Sequence, residues 1–250
     1  MSAVRTAEGL RSSERVGRSV CPTRVLDAVA LGSWAAVFWF LIIADRTSLF
    51  LSSRTAWVVP TGAILLTIGF VGRVASVRSE TPTPITRRGA WGVGLIVLPV
   101  IAVLALPPAS LGSYAADRRS AFSSGGISTS ASDIAAGDLS LLDVAGGLRS
   151  GEGVDALVER AGEDVDFTGF VTREAGAPAD EFVLTRFLVS CCVADALSVS
   201  VRVVGAPPGG FKADDWVRVS GQMYPLGREV IVDSTTIEAV ERPERPYLSQ

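Results

Sequence analysis

The stretch Phe187–Asp195, FLVSCCVAD, holds two of the chain's three cysteines side by side, in a sequence with no histidine. Thiolates suit soft metal ions such as Zn or Cu(I). No CxxC and no histidine accompany the pair, so a four-ligand site built on Cys191 and Cys192 needs Asp195, other carboxylates or a second chain. A bond between the two neighbours is disfavoured. Adjacent trans Cα atoms lie about 3.8 Å apart, below the usual disulfide range of about 4.4–6.8 Å.

Alternation along a strand assigns the two thiols to opposite faces. If Phe182–Val193 is one strand, the odd face carries Val183, Thr185, Phe187, Val189, Cys191 and Val193, and is the more apolar. Cys191 is then expected in the core with Phe187 and Trp216, as a small buried hydrophobe. Cys192 shares its face with Arg186, whose guanidinium favours a thiolate. Cys192, Arg186 and Asp195 are the candidate functional contacts, and the pair admits packing, a partner contact, or metal or redox chemistry. No catalytic residue is expected. Without histidine a general base must be a carboxylate or a thiolate, and no paired arrangement stands out, so the chain does not read as an enzyme. No cofactor is firm; a soft metal ion is one the pair admits.

The elements that position these residues are strands. Val165–Thr172, Phe182–Val193, Leu197–Val203, Trp216–Met223 and Val230–Val240 alternate, and Gly176/Pro178, Pro207–Gly210 and Pro225/Gly227 separate them. Five short strands in a small all-β domain over 164–250 suit an OB-like five-stranded barrel. Residues 109–163 read as a linker with weak short helices, its start rich in Ser, Ala and Gly.

The front of the chain is different. Runs at about 28–44, 55–72 and 89–106 carry no charge, and each has the length of a membrane-spanning helix. They form a membrane domain over 25–108 behind a basic N-terminus at 1–24. A cleaved signal peptide is the competing reading of the first run, but that run is long, no A-x-A site follows it, and two more runs come next. The N-terminus and second loop hold nine arginines against four on the other side, which places the N-terminus in the cytoplasm and the C-terminal domain outside. Cys21 then lies across the membrane from Cys191 and Cys192.

Residues 1–149 carry 14 basic and 9 acidic groups, and residues 150–250 carry 9 and 17. OB folds often bind single strands through a positive groove. A domain of net charge −8 repels phosphate, so nucleic acid is excluded as a partner.

The strings GFV at 169–171, FVLTRFLVSCCVADA at 182–196, WVRVSG at 216–221, RPERPY at 242–247 and PPASLGSYAADRR at 107–119 resemble the YcgQ-like family. These are uncharacterised bacterial membrane proteins regarded as permease subunits. The resemblance covers 165–247 well and spans two and three loosely. It departs after CCVADA, where Leu197-Ser198 replaces an expected proline-glycine turn. It implies a multi-span permease partner in the bilayer. The expectation is an accessory subunit whose extracytoplasmic β domain covers or regulates the transporter. The alternative is a stand-alone extracytoplasmic thiol-based metal-binding or redox-sensing membrane protein.

Overall fold

A computed structural model describes residues 19–79, 86–105, 110–118 and 130–249. The basic segment 1–18 and much of the Ser/Gly-rich stretch lie outside the described residues. The chain forms two compact units, one from residues 1–44 and 58–107, the other from 45–57 and 108–250.

The first unit holds three apolar helices: α1 (Pro22–Ile43), α2 (Val58–Ala75) and α3 (Arg87–Ala105). All three are long and apolar enough to cross a membrane. A two-residue ladder, β1 (Ser19–Val20) with β2 (Arg78–Ser79), ties the start of α1 to the end of α2. At that same end Arg73 pairs with Asp27 at 2.7 Å and Arg24 donates to the Ser76 carbonyl. Small residues let α1 and α2 approach closely. A Cβ on Gly32 would lie 2.9 Å from the Phe70 ring, and one on Gly62 would lie 2.6 Å from Phe38. Trp39 Nε1 donates to Thr67 across the pair at 3.1 Å. On α3, Leu95, Ile96, Leu98 and Ile101 are exposed, as suits a surface facing lipid or another helix.

The second unit is a closed barrel. Its strands are β3 (Asp164–Thr172), β4 (Phe182–Leu188), β5 (Leu197–Val204), β6 (Trp216–Leu226) and β7 (Glu229–Ala239). They close in the order β3-β4-β5-β7-β6, with β5 and β7 parallel and the other pairs antiparallel. This is the OB-like, five-stranded arrangement expected from the sequence. Three helices share the barrel's core: α5 (Ala131–Ala136), α6 (Leu141–Gly147) and α7 (Gly151–Glu159), after a single turn, α4 (Ser113–Ala116). Serines cap all three: Ser130 and Ser140 in capping boxes with Asp133 and Asp143, and Ser150 through the Gly153 N–H.

Two expectations need correction. Much of the supposed linker at 109–163 belongs to the folded domain: Ile134, Leu141, Val144 and Leu157 are buried in one cluster with Phe167, Leu184, Val201 and Val219. Each helix is too short to show a clear apolar period, so its packing is invisible locally. The second strand ends at Leu188, not Val193, and its faces are reversed. Phe182, Leu184 and Leu188 fill the barrel. Phe187 and Val189 join a second cluster with Phe170, Ala196 and Tyr247, against which Trp216 packs. A strand buried on both faces offers no alternation to read. Cys191, expected in the core, is therefore exposed, because it lies beyond the strand's end.

Candidate functional site: a paired-thiol turn

Beyond Leu188 the C-terminal tail takes over the hydrogen bonding. Val189 N–H donates to the Leu248 carbonyl at 3.0 Å, and Leu248 N–H donates to Phe187 at 2.8 Å. The chain then turns, and Asp195 organises the turn. Its carboxylate accepts the backbone N–H groups of Ser190 (3.1 Å), Cys191 (2.8 Å) and Cys192 (3.4 Å). Cys192 caps the 3-10 turn Val193–Asp195. Consecutive N–H groups converging on one carboxylate turn both thiols toward each other, with Sγ atoms 3.7 Å apart. Ligand atoms of Cys191, Cys192 and Asp195 all lie within 4.8 Å of one another. Both thiols are free; Cys191 is exposed and Cys192 half-buried.

A second segment grips the turn from outside. Residues 45–57, the loop joining α1 to α2, fold as part of the barrel unit. Leu51 forms an antiparallel bridge with Cys192. Ser52 N–H donates to the Cys191 carbonyl at 3.2 Å, and Val193 N–H donates to Phe50 at 2.9 Å. Ser52 Oγ donates to the Ser190 carbonyl at 2.8 Å, and Thr55 Oγ1 donates to Cys191 at 2.6 Å. The tail is held to the same loop by Ser48 Oγ donating to Glu244 at 2.9 Å.

Arg186 is partly buried, and its guanidinium hydrogen-bonds to the tail. It donates to the carbonyls of Pro246 (3.1 Å) and Arg245 (2.9 Å) and lies 5.9 Å from the Trp216 ring centroid. Burial draws its pKa below the usual arginine value. It fastens the tail to β4. The pKa of Cys191 runs opposite to a reactive thiolate's. Hydrogen bonding to Asp195 and then to Cys192 pushes it up to about 11, and both neighbours' charges act the same way. Partial burial works against ionised Asp195, but the Cys191 thiol and the three backbone N–H groups hold its carboxyl below the ordinary value. The turn stores a neutral thiol beside a carboxylate, which is poor nucleophilic chemistry and a ready donor set for a cation.

The structure thus brings Cys191, Cys192 and Asp195 together. It sends Arg186 to the tail, keeps Phe187 in the second cluster, and packs Trp216 against it. Ser52 and Thr55 escape sequence reasoning. Their signal is faint: a polar SSRT between two apolar runs.

The fold and the turn define a membrane protein with three candidate spans and a closed OB-like barrel. Over residues 155–249 the chain is similar to the DUF1980 C-terminal domain, an uncharacterised family. That region contains the barrel, the paired-thiol turn and the tail. No curated protein matches the chain.

Proposed function

We propose that this protein is an accessory subunit of a membrane permease, anchored by α1–α3, with its barrel unit on the extracytoplasmic side. The observation that carries the reading is an anchor without a pathway. Charged residues of the three helices sit only at their ends, Arg24 and Asp27, Arg73, and Arg87 and Arg88. Ionisable side chains within spans are what mark ion or proton routes. The barrel offers no channel either, since Phe167, Leu184, Val201 and Met223 are buried inside its core. Such a build suits a protein that acts on another membrane protein or holds something for it. The likeness of residues 165–247 to YcgQ-like permease subunits supports a multi-span partner, and the arginine asymmetry supports the orientation. The reading assigns the chain no catalysis and no nucleic acid.

The test is purification of the tagged full chain from native membranes in a mild detergent, with mass spectrometry of what accompanies it. A multi-span membrane protein in fixed proportion is expected. Recovery of the chain alone, or only as copies of itself, would overturn the permease reading.

A further inference from the structure

We propose that Cys191, Cys192 and Asp195 form a mononuclear binding site for a thiolate-preferring divalent cation, with zinc as the best geometric match. The site stands independently of any permease partner.

The argument is geometric. Two sulfurs bound at about 2.3 Å to a tetrahedral zinc lie about 3.8 Å apart. The two Sγ atoms already stand 3.7 Å apart. A carboxylate oxygen completes the three-ligand set, within 4.8 Å of both sulfurs. Hard cations prefer all-oxygen cages, which this set cannot supply. The fourth tetrahedral position faces solvent, since Cys191 is exposed, leaving room for water or a ligand from elsewhere. Three-ligand sites with an open position exchange and react, whereas structural zinc sites close all four.

The supporting shell is unusual for an accidental cluster. Asp195 is fixed by three N–H donors, and the carbonyls of Ser190 and Cys191 are fixed by Ser52 and Thr55. Outer contacts of this kind orient metal ligands and set affinity. Binding releases the two thiol protons to solvent and leaves both sulfurs as thiolates on the ion. No bond between sulfurs forms and no electron is transferred.

Cobalt(II) is the probe, because tetrahedral thiolate coordination gives it intense visible bands and a sulfur-to-metal charge-transfer band. The full chain, reduced and metal-free in detergent micelles, is titrated with cobalt and then back-titrated with zinc. One ion per chain is expected, with a tetrahedral spectrum whose charge-transfer intensity reports two thiolates. Zinc should displace cobalt, and magnesium or calcium in excess should not. Cys191→Ser and Cys192→Ser should each halve the charge-transfer intensity and weaken binding at least about tenfold, while Cys21→Ser leaves the spectrum intact. Circular dichroism of each variant separates lost binding from lost fold. For a variant that unfolds, differential alkylation of the wild-type thiols with and without zinc replaces it, and protection of both is expected. A weak octahedral spectrum, half an ion per chain, or bands indifferent to both substitutions would overturn the site.

Discussion

The residue that changes most between expectation and structure is Cys191. A raised pKa of about 11 keeps it a neutral thiol across the physiological range. The thiolate is the nucleophile, so alkylation of metal-free protein at Cys191 should be slow at pH 7. The rate should climb about tenfold per pH unit until the pH approaches that value. Asp195→Asn removes the carboxylate whose hydrogen bond, and to a lesser degree whose charge, opposes ionisation, and should speed the reaction at pH 7. Peptide mapping after timed exposure to iodoacetamide measures both. Rapid labelling of Cys191 at pH 7 in the wild type would contradict the hydrogen-bonded thiol. Exposure also decides stability: Cys191→Ser should stay within about 0.5 kcal/mol of wild type in denaturant melts.

At the scale of elements, the paired-thiol turn depends on a segment far away in sequence. Thr55→Val keeps the shape of the side chain and removes its donation to the Cys191 carbonyl. One hydrogen bond is worth about 0.5–1.5 kcal/mol, so the melting midpoint should fall by no more than a few degrees. Loss of an outer-shell contact typically costs about 10–100-fold in metal affinity, so zinc binding should weaken by at least about tenfold. An unchanged affinity would show that the loop is not needed to shape the site. The barrel wall has its own tight point at Gly169. A Cβ there would sit 2.7 Å from the Thr185 carbonyl of the neighbouring strand. Gly169→Ala should therefore destabilise the domain by about 1–3 kcal/mol, seen as a lower midpoint with unchanged slope in urea.

For the whole molecule, the loop at 45–57 and the domain at 108–250 fold as one unit, and two candidate spans separate them in sequence. Two crossings by the candidate spans would return the chain to the side it left, which is compatible with that unit. In the orientation proposed from the arginine asymmetry, that side is the exterior. An alkaline-phosphatase fusion after Gln250 should be active, and a cytoplasmic reporter at the same place should be silent. The reverse pattern would invert the orientation and put the thiol turn in a reducing compartment.

The sequence by itself determined the three apolar helices, because an uninterrupted apolar run of membrane length needs no tertiary partner to declare itself. It also determined the five strands and their barrel, because Leu197–Val203 and Trp216–Met223 alternate apolar and polar residues along the chain. The tertiary structure decided the rest. Phe182–Leu188 is covered on both sides, by the barrel interior and by the tail with Phe170 and Trp216, so its register had no local signature. Helices α5–α7 are individually too short to announce that they share the core. The thiol turn required contacts between residues more than 130 positions apart, Thr55 with Cys191 and Ser52 with Ser190. Spacing along a chain encodes periodicity within one element. Only folding brings a loop between two spans to the end of a strand and turns neighbouring cysteines from opposite faces into one pair.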